Sequence, residues 1–232
     1  MDDAIREKLI VALDVPSYDD ARDLVNLLGP TVSFYKIGLE LLFSEGLAIA
    51  RELKSEGKRV FLDLKFLDIG NTVERAVSSA SHMGVDFLTI HGHDTKTLKA
   101  AAKGRGDAPL KIFAVTVLTS LDDDDLKEQG IASSPRDLVS KRAQMAHQAG
   151  LDGVIASGQE AAAIRSSTSN SFLIVTPGIR LPGSDSGDQS RITTPHDAIS
   201  AGANYLVVGR PITAAADPKA AAQSFLDQIS SA

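Results

Sequence analysis

Short, continuously apolar runs recur eight times along the chain, each followed by residues at helical spacing. The runs are Leu9–Asp14, Ser33–Gly38, the stretch opening at Arg59, Asp86–His91, Lys111–Leu118, Gly153–Ala156, Phe172–Thr176 and Tyr205–Val208. Strands that are apolar throughout, rather than alternating, are those covered on both faces. Between them the spacing predicts helices over Ser17–Leu28 with Ser17 as cap, Leu39–Lys54, a segment ending near His82, Thr95–Lys103, Pro135–Ala149, Glu160–Ser166, Pro195–Ala201 and Pro218–Ile229. Eight strands alternating with eight helices in 232 residues favour a single closed (β/α)8 TIM barrel over residues 1–232. An open dinucleotide-binding sheet has little support, because no Gly-x-Gly-x-x-Gly follows the first strand.

Composition narrows the function classes. A net charge of −6 argues against nucleic-acid or anionic-membrane partners. The chain has no Cys, so disulfides and thiolate metal sites are absent, which fits a cytoplasmic setting. The first eight residues are too charged for the core of a signal peptide, and no apolar run approaches a membrane span. An anionic small substrate would need a local cluster of positive groups.

Strand ends supply such a cluster. In α/β barrels the chemistry sits at the carboxyl ends of the strands, which here carry Asp14, Lys36, Asp63 with Lys65, His91 and Thr119, then Arg180 and the pair Gly209-Arg210. The stretch Arg59–Thr72 is the most informative. Asp63 and Lys65 are two apart on a strand and so share a face, Asp68 follows, and Asn71 with Glu74 has the spacing of a helix-capping pair. Clustered ions are costly to desolvate and persist when their signs alternate. At the last two strand ends, Gly178 and Gly209 permit close backbone approach and Arg180 and Arg210 offer forked donors, a combination suited to phosphate. The segment 177–191 is long and poor in apolar residues, as expected of a phosphate-binding lid loop, and Gln189 within it is a neutral donor. His91 and His93 lack an evident third ligand, so no metal site is expected. The acidic run Asp122–Asp125 reads as a solvated loop or a helix start.

Six segments together resemble the bacterial-type orotidine 5′-monophosphate decarboxylase family: Ala12–Asp14, Phe34–Gly38, Asp63–Ile69, Val115–Ser120, Thr176–Arg180 and Val208–Ile212. The resemblance covers essentially the whole chain. It implies conversion of orotidine 5′-monophosphate (OMP) to UMP and CO₂ in pyrimidine biosynthesis, without a cofactor. It further implies Lys65 as proton donor, Asp63 facing the substrate carboxylate, and Lys36 and Asp68 completing an alternating charge network. Asp14 and Lys36 would bind ribose hydroxyls, Thr119 would lie near the pyrimidine, and Arg180, Gln189, Gly209 and Arg210 would hold the phosphate. Asp68 and Thr72 would reach the neighbouring site of a homodimer. A related barrel group, the 3-keto-L-gulonate 6-phosphate decarboxylases and hexulose-phosphate synthases, shares the Asp-x-Lys-x-x-Asp pattern but works with Mg²⁺.

Overall fold

A computed structural model describes residues 2–183 and 191–232. Its strands are β1 (Leu9–Ala12), β2 (Phe34–Ile37), β3 (Arg59–Phe66), β4 (Phe87–His91), β5 (Lys111–Val115), β6 (Gly153–Ile155), β7 (Leu173–Thr176) and β8 (Tyr205–Val208). They pair in parallel in chain order, and β8 returns to β1 with Ile10 opposite Val207, closing the barrel.

Around the barrel run α1 (Asp3–Arg6), α2 (Tyr18–Leu28), α3 (Leu39–Leu41), α4 (Leu47–Ser55), α5 (Gly70–His82), α6 (Thr95–Arg105), α7 (Asp123–Glu128), α8 (Pro135–Gln148), α9 (Gly158–Ser167), α10 (Pro195–Ser200), α11 (Arg210–Thr213) and α12 (Pro218–Ser230). Ser17 caps α2 as expected, its hydroxyl accepting from the Asp20 amide at 3.1 Å. The acidic run opens α7, where the Asp122 carboxylate accepts from the amides of Asp124 and Asp125. Anionic groups there also complement the helix dipole.

Two expectations need correction. The helix over Leu39–Lys54 is broken by a π turn at Leu42–Gly46, in which Glu45 takes a left-handed φ of 63°. Hydrophobic spacing does not register such an inserted residue. The Asn71–Glu74 capping pair does not form either. Helix α5 begins at Gly70 after Ile69, without a side-chain cap, and Glu74 instead meets Lys103 on α6 at 2.9 Å.

The barrel interior is layered by the two-residue pleat of the strands. One layer holds the fully buried rings of Phe34, Phe61, Phe87 and Phe113 with Ile10 and Val175. Phe87 packs on Phe113 at 4.5 Å between centroids and edge-on to Phe34 at 4.9 Å. Burying each large apolar side chain is worth roughly 1.5–3 kcal/mol, and favourable ring geometry adds about 0.5–1.5 kcal/mol per pair. Beneath this layer the Arg59 guanidinium lies 4.2 Å from the Phe34 ring centroid. Two residues beyond Phe34, Phe61 and Phe87 stand Lys36, Asp63 and Thr89. Three adjacent strands thus place a polar residue directly above an aromatic floor.

Candidate active site

Above that floor lies a cavity of about 540 Å³. Asp14, Lys36, Asp63, Lys65, Thr119, Arg180, Gly209 and Arg210 all line it. The sequence-predicted residues from strands β1, β2, β3, β5, β7 and β8 therefore converge on one space.

Four ions form an alternating row. The Lys36 ammonium lies 2.8 Å from an Asp14 oxygen and 3.6 Å from Asp63 Oδ2, and the same Asp63 oxygen receives Lys65 Nζ at 2.8 Å. Burial pushes the Asp63 carboxyl upward, but Lys36, Lys65 and the hydrogen bonds from Lys65 and Thr89 outweigh it and hold it below the usual carboxylate range. The other Asp63 oxygen accepts the Thr89 hydroxyl at 2.9 Å. Asp63 is thus fixed from both sides while remaining charged.

The backbone is bent to achieve this. Lys65 sits at φ 49°, and the β3–β4 register shifts between Leu62 and Phe66. A left-handed conformation at a residue with a Cβ costs on the order of 1–3 kcal/mol. Thr89 compensates: its oxygen accepts from the Lys65 amide at 3.0 Å while its proton goes to Asp63. One buried hydroxyl replaces the missing ladder bond and orients the acid. Thr89 escaped the sequence reading, although a Thr in the apolar run Phe-Leu-Thr-Ile-His two residues beyond Phe87 was an available signal.

Gly38 was also missed. A Cβ there would lie 2.8 Å from Asp14 Oδ1 and 2.9 Å from Lys36 Nζ. The Asp14–Lys36 contact occupies the volume a side chain would take.

Asp68 stands apart from this row within the chain. Its carboxylate accepts from the Ile69 amide at 2.6 Å, and neither Asp68 nor the exposed Thr72 lines the cavity. Within one chain Asp14, not Asp68, completes the alternation. Gln189 lies outside the described residues, as do residues 184–190 of the expected lid loop; the feet of that segment are joined by a bridge between Ile179 and Thr193. Beside the row, the His91 imidazole is pushed down to about 4 by burial, His93, Lys65 and Arg142. It therefore stands as a neutral neighbour near pH 7. Among the described residues no group of three His, Asp or Glu is arranged to hold a metal.

Residues 7–225 match the family model described as orotidine 5′-phosphate decarboxylase/HUMPS family. The chain belongs to this family. A relative from Nitrobacter winogradskyi named orotidine 5′-phosphate decarboxylase is 54% identical over 230 residues, spanning 99% of this chain and 95% of the relative. One of the same name from Rhodopseudomonas palustris is 52% identical over 227 residues, covering 98% of this chain and 95% of its own. The crystal structure of orotidine 5′-phosphate decarboxylase from Lactobacillus acidophilus superposes with a TM-score of 0.84 at 36% identity, over 95% of this chain and 98% of that one. The family assignment thus rests on nearly the full length of the barrel. No helix among the described residues is long and apolar enough to cross a membrane.

Proposed function

We propose that the chain decarboxylates OMP to UMP and CO₂ in the cytoplasm, as a step of pyrimidine biosynthesis. The observation that carries this is the Asp14–Lys36–Asp63–Lys65 row at the mouth of an otherwise apolar barrel. The substrate carboxylate on C6 sits against Asp63, where like charge disfavours the ground state relative to the transition state. As the C6–carboxylate bond breaks, its electron pair stays on C6 and CO₂ departs. The Lys65 ammonium stabilises that developing charge and then delivers its proton to C6. Solvent later returns a proton to the amine. Asp14 and Lys36 bind ribose hydroxyls, Thr119 lies beside the pyrimidine, and Arg180, Gly209 and Arg210 hold the 5′-phosphate, joined by Gln189 of the 177–191 lid loop. Arg180 is suited to this because it is buried at the cavity wall, where an anion meets little competing water.

A homodimer completes the site. Leu67 and Ile69, 51% and 73% exposed, flank Asp68. A partner surface that buried this apolar patch would carry Asp68 and Thr72 across to its own cavity.

The family also contains Mg²⁺-dependent sugar-phosphate enzymes, as the resemblance implies. Here Lys36 and Lys65 share one Asp63 oxygen and the Thr89 hydroxyl takes the other, so a divalent ion at Asp63 would have to displace them. The deciding assay mixes purified protein with OMP and EDTA and follows ultraviolet absorbance. Unchanged, rapid formation of UMP is expected. Turnover that vanishes with EDTA, or turnover of a sugar phosphate with Mg²⁺ only, would overturn the proposal.

Gly38 provides a finer check. Gly38→Ala should fold normally, since only the mobile ends of Asp14 and Lys36 must shift, yet lower kcat/KM for OMP roughly 10–100-fold. Thermal melting alongside steady-state rates tests this; wild-type kinetics would show that the Asp14–Lys36 contact is dispensable.

A further inference from the structure

Outside the ion row, one buried ion pair is left unexplained by the chemistry above. Arg191 Nη1 lies 2.5 Å from Glu160 Oε1, and both side chains are largely buried, at 12% and 7% exposure. Its second nitrogen, Nη2, donates to the Leu118 carbonyl at 2.9 Å. That carbonyl also accepts from the Leu121 amide at 3.0 Å, closing the turn that carries Thr119. Two residues along the chain, Thr193 pairs with Ile179: its carbonyl accepts from the Arg180 amide at 3.1 Å, and its amide donates to the Gly178 carbonyl. Glu160 belongs to the first turn of α9, whose cap Ser157 donates to the Arg191 carbonyl. One guanidinium therefore joins three strand-end connections, those after β5, β6 and β7.

We infer that Arg191, held by Glu160, is a positioning residue that fixes the Thr119 turn relative to the bridge carrying Arg180. Resting on the function proposed above, this couples the group beside the pyrimidine to the group on the phosphate. Forked geometry is required, because one side chain must serve a carboxylate and a carbonyl at once. Buried charge in the pair makes the link rigid: neither ion can leave its partner without standing unpaired away from water. The expected signature is specific. Phosphate binding would lose its influence on the reacting end of the substrate, whereas a substrate without phosphate would be indifferent.

The test uses full-length wild type, Glu160→Gln and Arg191→Lys, each assayed with OMP and with orotidine, its phosphate-free nucleoside. Arg191→Lys keeps the charge opposite Glu160 but cannot also hold Leu118. We expect kcat/KM for OMP to fall at least about tenfold in both variants, mainly through kcat. Turnover of orotidine should stay within about twofold of wild type. Hydrogen exchange at the Leu121 amide should accelerate about tenfold, because its acceptor is no longer anchored. Equal losses on the two substrates, or none on OMP, would overturn the inference. A wild type inert toward OMP would strike the functional proposal instead. The Leu121 exchange would then decide alone, and unchanged protection would overturn the positioning role.

Discussion

Lys65→Ala is expected to lower turnover of OMP by roughly 10⁴-fold or more, while UMP still binds. The proposed chemistry asks two things of this ammonium, stabilisation of charge at C6 and delivery of a proton, and alanine supplies neither. Its neighbour cannot substitute: Lys36 is engaged with Asp14 at 2.8 Å and with Asp63 at 3.6 Å. The barrel itself should survive. Asp63 keeps Lys36 and the Thr89 hydroxyl, so no buried carboxylate is left unpaired. Alanine at φ 49° meets the same backbone strain that lysine already tolerates. The ribose and phosphate contacts proposed for other residues would sustain binding of the product. Calorimetric UMP titration together with rates settles the matter; turnover within about tenfold of wild type would remove Lys65 from the chemistry.

Mixing two inactive variants should regenerate activity. If Asp68 serves the neighbouring site, Asp68→Ala and Lys65→Ala are each close to inactive. A dimer containing one of each has one site with Lys65 from its own chain and Asp68 from its partner, and one site lacking both. Random reassortment makes half the dimers mixed, and half their sites intact, so about a quarter of wild-type activity should return. The exposed flanks Leu67 and Ile69 motivate this strongly, since Asp68 has no place in its own cavity. Co-refolded or subunit-exchanged mixtures can be titrated against each other. Activity that never exceeds the sum of the separate variants would confine Asp68 to its own chain.

Much of the barrel was legible because strand burial is written as uninterrupted apolar residues. The charged residues at strand ends were legible for the complementary reason: past the residue that opens each run, nothing else in it is ionic. Asp14, Lys36, Asp63 and Lys65 could thus be located from order alone, and they meet in space. What escaped depends on three-dimensional proximity. Thr89 looks like an ordinary strand residue until the bend at Lys65 brings the Lys65 amide to its oxygen. Glu160 and Arg191 are 31 residues apart and carry no motif. Asn71 had the residue type and spacing of a cap, but the chain enters α5 two residues too early for it to act, with Ile69 at the cap position. Local patterns establish where an element lies; they do not establish which of its groups faces a neighbour's orphaned donor.

The aromatic floor has a consequence for traffic through the barrel. Phe34, Phe61, Phe87 and Phe113 close the interior beneath the ion row, with Arg59 stacked below. The cavity is a well with its opening on the upper rim, and under the proposed mechanism substrate, CO₂ and the replacement proton for Lys65 would share that opening. On the proposed chemistry, bound UMP would stand in it as a stopper between the spent Lys65 amine and bulk water. Rearming the proposed acid would thereby be tied to emptying the well, each cycle resetting only as its product leaves.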